Sequence, residues 1–186
     1  MKLFLLFTFG TINFFSVYAQ QDSSGVYLTA SDFKNRHLVY AINCNTQKHK
    51  IKLKEFFSRP FIVMVHNDSS YTLPKNEIYG YRACDGVSYR FVDEKVYKIL
   101  NPFEPIVIYR YFVYILHNPV NDYFFSKGNA VIVEELTKAN LKRAFPDNHK
   151  FHELLDLSFK DELSLTSYDK RKKVYKLMTV YAKSME

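Results

Sequence analysis

The sequence predicts an α+β fold, with an N-terminal antiparallel β-sheet or partly open barrel followed by about three C-terminal helices. Three observations lead there. Short runs that alternate apolar and polar residues fill positions 25–134, in a chain holding 15 Tyr, 17 Phe and no Trp; alternating aromatics favour strands. Turn-forming pairs such as Asp85-Gly86 punctuate those runs. From residue 137 onward the apolar spacing becomes helical. Many strands and then several helices suggest helices packed on one face or end of a sheet.

The elements follow in order. Gly25 to Thr29 reads as a first strand, and Ser31 to Asn35 as one helical turn capped by Thr29 or Ser31. Leu38 to Cys44 is the next strand, turned at Asn45-Thr46. His49 to Leu53 alternates like a half-buried strand. Glu55 to Arg59 is a short irregular or helical piece stopped by Pro60. Phe61 to Val65 is apolar throughout and reads as a central strand, and Asn67 to Ser70 turns the chain into Tyr71-Thr72-Leu73.

Residues 78–91 read as strand, turn, strand. Asp85-Gly86 suits a two-residue type I′ turn, since both positions tolerate positive φ. One face of this hairpin is aromatic and the other carries Arg82 and Arg90. Asp93-Glu94 turns again before a strand from Val96 to Leu100, and Pro102 and Pro105 bracket a loop. Ile106 to Leu116 is one long strand or two with a bend. His117 to Asp122 is a loop, and Lys127-Gly128-Asn129 joins Tyr123–Phe125 to Ala130–Val133 as a further hairpin.

A first helix runs from Thr137 to Phe145 and ends at Pro146. Asp147 or Asn148 caps a second, with Phe151, Leu154 and Leu155 on one face. A third begins near Ser167 and aligns Val174, Tyr175, Met178 and Tyr181. The β-rich part is 25–134 and the helical part 137–183.

Before all of these lies a leader. Lys2 precedes an apolar run to about Phe15, and Val17-Tyr18-Ala19 has the form of a cleavage site. Thr8, Gly10, Thr11 and Asn13 interrupt the run, leaving it short of the roughly 18–20 apolar residues a bilayer span needs. Residues 1–19 are therefore expected to be a signal peptide and 20–186 a single mature domain. No transmembrane span is expected after cleavage, and the destination is periplasmic or extracellular. The 186 residues less 19 leave 167, enough for one domain with a real core. The full-chain charge of +7 less Lys2 leaves about +6. For an exported protein with mostly dispersed lysines this does not point to nucleic acid.

Chemistry is sparse. Cys44 and Cys84 each sit at a strand end beside a turn, and an oxidising compartment favours a disulfide between them over two inert buried thiols or a reactive one. His149, His152, Glu153 and Asp156 share a helical face with metal-ligand chemistry. The polar side of an amphipathic helix accounts for them better, and the spacing is not H-E-x-x-H. No G-x-S-x-G elbow and no glycine-rich phosphate loop is present. No catalytic residue, metal ligand or cofactor is assigned. Lys170-Arg171-Lys172-Lys173, placed early in the last helix, is a solvated face or a contact with anionic envelope lipid or glycan.

Several stretches carry a resemblance: Gly25-Val26-Tyr27-Leu28-Thr29 with Asp32-Phe33-Lys34, His49 to Leu53, Tyr79-Gly80-Tyr81-Arg82, and Leu136-Thr137 through Phe145-Pro146-Asp147. In these the chain resembles small exported proteins of unknown function from Bacteroidetes-type bacteria. The resemblance implies a bacterial source and an envelope or secreted location, and no mechanism. The expectation is a non-enzymatic envelope binding or structural domain. A hydrolase or metal-dependent enzyme acting on an envelope or extracellular substrate is the alternative. A lipid or small-ligand carrier follows if the strands enclose an unfilled interior.

Overall fold

A computed structural model of the chain describes residues 22–47, 51–52, 59–66, 69–115 and 118–186. The leader, His49 and Lys50, most of the Glu55–Arg59 piece, the Asn67-Asp68 turn and His117 lie outside them.

The chain opens with β1 (Ser23–Tyr27) and α1 (Ala30–Lys34), where Thr29 and Asp32 form a reciprocal capping box. β2 (Val39–Asn43) and β3 (Ile51–Lys52) follow, then the hairpin β4 (Phe61–His66) and β5 (Ser69–Pro74). Next come β6 (Gly80–Arg82), β7 (Ser88–Val92), β8 (Lys95–Ile99) and the ten-residue strands β9 (Ile106–Ile115) and β10 (Asn118–Lys127). β11 is Glu134–Glu135, α2 is Lys138–Ala144 and α3 is His149–Ser158. The hairpin β12 (Tyr168–Asp169) and β13 (Val174–Tyr175) leads into α4 (Lys176–Ser184).

Eight strands form one antiparallel sheet in the order β11-β10-β9-β8-β7-β6-β1-β2. Among the described residues this sheet is open, with β11 and β2 at its ends. β3, β4 and β5 make a separate three-stranded sheet. Phe61 to Val65 is thus a central strand, but of the smaller sheet.

Register decides which side chains share a face. Val26, Tyr81 and Tyr89 are opposed in turn, and so are Lys98, Arg110 and Tyr123. On this face the small sheet covers one end, with Ile62 and Met64 against Val26, Tyr81 and Phe91. The helices cover the other end, with Leu141, Phe151, Leu155 and Leu177 against Ile106, Ile108 and Phe125. The opposite face buries Tyr27, Tyr97, Ile99, Val107 and Tyr109 against Phe33 of α1 and Tyr79. Both faces of the sheet are therefore packed.

Several sequence expectations are corrected. The 78–91 hairpin does not use a two-residue turn. Ala83 N donates to Val87 O (2.8 Å) and Gly86 N to Ala83 O (3.0 Å), with Gly86 at φ +80°. This is a three-residue loop, in which a turn through Cys84 and Asp85 ends on a left-handed glycine. The turn with two positive φ values is Asp93-Glu94 instead, at 47° and 65°. The buried Lys75 steadies it by donating from Nζ to Glu94 O (3.0 Å).

Asn118 to Asp122, expected as loop, is strand: β10 pairs with β9 through all ten of its residues. Ala130 to Val133 is not a strand, and β10 returns through β11 instead. The last helix starts at Lys176, not near Ser167, because residues 168–175 form the β12–β13 hairpin. Lys170 to Lys173 is therefore a hairpin tip. Asp169 Oδ1 accepts from Arg171 N (2.9 Å) and Lys172 N (3.0 Å) and so fixes the turn.

Candidate functional site

With both sheet faces filled, a concavity among the described residues lies at the rim, where β6, β7 and β8 end. The loop after β8 is pinned by Asn101. Its Nδ2 donates to Ile106 O (2.8 Å), and its Oδ1 accepts from Ile108 N (2.6 Å). Phe103 follows at φ 72°, a left-handed position that costs a side-chain-bearing residue on the order of 1 kcal/mol or more. Its ring stacks with Phe33 (centroids 5.2 Å apart) and lies under the Arg36 guanidinium, 4.7 Å from its centroid. Nevertheless 45% of Phe103 stays exposed.

Beside this loop is a cleft of about 270 Å³. Its walls are Tyr27, Ile99, Pro102 and Phe103, and its polar groups include Arg82, Ser88 and Lys98. Arg82 and Lys98 come from opposite faces of the sheet, and both line the cleft where the strands end. Among the described residues no hydrogen bond or ion pair engages either side chain, and Arg82 Nε is buried without a partner. Two cations lining one cleft in this way raise the local potential and leave donors unsatisfied.

A second cleft of about 230 Å³ shares Leu100 and Pro102 with the first. Glu104, Lys173, Tyr168 and Tyr175 line it. Lys173 holds φ 54° at the hairpin tip. Tyr168 is 48% exposed and meets Tyr175 edge-on at 5.0 Å. Burial pushes the Tyr175 phenol above its usual range, with the nearby Tyr123 adding to the shift.

Arg90 is a different kind of cation. It sits on the same face as Arg82, because Gly80 opposes Arg90 and Arg82 opposes Ser88. Only 4% of it is exposed. Nη1 donates to Tyr109 Oη, and Nη2 donates to the carbonyls of Ala130 and Val131, all at 2.8 Å. Tyr109 Oη shares a hydrogen with Ser126 Oγ (2.9 Å), and Ser126 Oγ donates to Gly128 O (2.6 Å). The guanidinium also lies 4.9 Å from the Tyr79 ring centroid. These contacts lash residues 128–131 to the sheet. Among the described residues no group meets Tyr79 Oη in good hydrogen-bond geometry, and burial pushes that phenol far above its usual range.

The residues singled out in the sequence fall elsewhere. Cys44 and Cys84 are joined, with Cα atoms 5.6 Å apart. Their bridge ties the end of β2 to the hairpin loop whose Gly86 borders the first cleft. His149 and His152 are neighbours at 5.8 Å between rings. However, His152 Nε2 bonds Phe145 O (2.9 Å) and Asp156 pairs with Lys142 (2.6 Å). Among the described residues no group of three His, Cys, Asp or Glu side chains is placed to hold a metal. No described helix is long and apolar enough to cross a membrane.

Sequence reasoning missed Arg82, Lys98 and Phe103 as a group. The three are far apart in sequence, and only the strand register and the pinned loop bring them together. No protein-family model, curated protein or solved structure matches this chain.

Proposed function

We propose that the protein is a non-enzymatic exported domain of the bacterial envelope that binds an anionic ligand in the rim cleft. The observation that carries this is a cleft lined by two cations, Arg82 and Lys98, and by no acidic residue. Among the described residues no acceptor meets the Arg82 guanidinium or the Lys98 ammonium, whereas the terminal nitrogens of the buried Arg90 have three. A carboxylate or phosphate would accept a bidentate bond from Arg82 and a point charge from Lys98. Export is supported by the apolar leader and by the Cys44–Cys84 bridge, since disulfides persist in oxidising compartments.

The test is calorimetric titration of the protein with glucuronate and with inorganic phosphate, at low and physiological salt. Saturable binding of one anion that weakens with salt is expected. Arg82→Gln should lower the affinity about tenfold or more, since hydrogen bonds to charged groups contribute about 1.5–3 kcal/mol. Binding that Arg82→Gln leaves unchanged places the anion elsewhere and removes the reading. Intact mass before and after reduction reports the mature N-terminus. A native protein that retains Met1 refutes export.

A further inference from the structure

We infer that the ligand is an acidic oligosaccharide with one carboxylate-bearing sugar beside a neutral one, read by the two joined clefts. The inference rests on the anion-binding reading of the Arg82–Lys98 cleft. It adds the second cleft, and the difference in charge between the two.

The clefts are adjacent. Their common wall is Leu100 and Pro102, a span of roughly 7 Å at most for two residue steps of extended chain. One extended ligand would reach both by crossing the exposed Pro102 at the rim. Together they offer a volume in the range of small-ligand sites, which neither reaches alone.

Their charge differs. The first presents Arg82 and Lys98 and no acid. The second presents Lys173 with Glu104, and among the described residues neither is engaged in an ion pair or hydrogen bond. A second carboxylate there would face Glu104, and like charges at short range repel. A neutral polyhydroxylated ring suits it, because hydroxyls both donate and accept. Glu104 would accept from one hydroxyl and Lys173 would donate to another.

The walls also favour a sugar. Each cleft has one half-exposed ring at its mouth, Phe103 for the first and Tyr168 for the second. Phe103 is held by Phe33 and Arg36 and Tyr168 by Tyr175, so both rings are fixed before a ligand arrives. Rigid aromatic faces supply contact area at little entropic cost. The apolar face of a pyranose can lie on such a ring while its hydroxyls reach the polar groups. A peptide strand would need an open sheet edge, and these clefts are lined by strand ends and loops. An acyl chain would need a continuous apolar groove, and the second cleft is interrupted by Glu104 and Lys173.

The test compares four probes on the full mature protein: glucuronate, a hyaluronan tetrasaccharide of alternating glucuronate and N-acetylglucosamine, tetragalacturonate, and neutral N-acetylchitotetraose. The hyaluronan tetrasaccharide should bind at least about tenfold more tightly than glucuronate, and more tightly than either other oligomer. Lys173→Ala lies at an exposed hairpin tip and should leave the melting curve unchanged. Tyr168→Ala loses its edge contact with Tyr175 and should lower the melting temperature only slightly. Each should lower tetrasaccharide affinity several-fold while leaving glucuronate alone. Glu104→Gln should strengthen tetragalacturonate binding and weaken the alternating oligomer.

Suppose glucuronate binds through Arg82, but the alternating oligomer gains nothing and Lys173→Ala changes nothing. The two-cleft inference is then wrong and the anion site stands. If tetragalacturonate binds best, the second cleft takes a charge and the inference is also wrong. If no probe binds and phosphate does not bind either, both readings fall together.

Discussion

Removing the Cys44–Cys84 bridge gives the most calculable perturbation of this fold. The two cysteines are 40 residues apart. In the chain-entropy model, closing such a loop removes about 13 cal/mol/K from the unfolded state, or about 4 kcal/mol at 25 °C. Cys84 is exposed and Cys44 half-buried, so little apolar burial is lost with the sulfurs. The double variant Cys44→Ala/Cys84→Ala should therefore unfold about 4 kcal/mol more easily in urea. For a domain of this size that corresponds to roughly 8–16 °C in melting temperature. The m-value should rise, because an uncrosslinked unfolded chain exposes more surface. Paired urea melts of the wild type, with and without a reductant, supply the control. The reduced wild type and the double variant should coincide. A loss under about 1 kcal/mol with an unchanged m-value would refute the reasoning, since the bridge then constrains neither state.

Three other outcomes follow from the buried polar groups and one close backbone contact. Arg90→Met removes three hydrogen bonds from a buried cation and should cost about 2–4 kcal/mol. Limited proteolysis should then cut within 128–133 before the rest of the chain. Tyr79→Phe deletes a buried hydroxyl that no described group meets in good hydrogen-bond geometry, so stability at neutral pH should not fall. Because burial raises the Tyr79 pKa in the folded state, its contribution is complete below the ordinary tyrosine value near 10. That contribution is lost as pH rises above 10 toward the folded value, so Tyr79→Phe should flatten the alkaline arm of a pH–stability curve. Gly80→Ala would put a Cβ 2.0 Å from Tyr89 O, a clash with backbone that should cost about 3 kcal/mol or more by thermal melt.

The sequence carried the elements better than their arrangement. Thr29 with Asp32, and Asn148 before Phe151, are local capping signals, and both helices start where those signals stand. The long apolar run from Ile106 was legible as strand for the same reason. Asn118 to Asp122 was not. Its turn-forming residues suggest a loop, but ten-fold pairing to β9 overrides that preference. The 168–175 hairpin was missed because Lys170 to Lys173 offers a plausible helical surface; Asp169 breaks it by capping the turn from its side chain. Local patterning also could not separate Arg82 from Arg90. The two share a face, and their difference in burial comes from residues 128–133 folding back over only one of them.

That difference yields a final prediction. The fold surrounds Arg90 with Tyr109 and two carbonyls, so a charge taken from water is met by oriented oxygens. Arg90 leaves only its Nε without a partner, whereas on the same face no hydrogen bond among the described residues engages any nitrogen of the Arg82 guanidinium. A structural role for Arg82 would call for a partner within the chain, and among the described residues there is none. If the partner comes from outside, the unliganded protein bears a cost that the ligand relieves, the usual balance at binding sites. Arg82→Met should then leave the ligand-free protein as stable as the wild type or more so, by up to about 1 kcal/mol. The same variant should lose the thermal stabilisation that an acidic ligand gives the wild type, which grows with ligand concentration by mass action. A variant that loses 2 kcal/mol or more without ligand would make Arg82 a structural residue, and the rim cleft would lose its claim to an external anion.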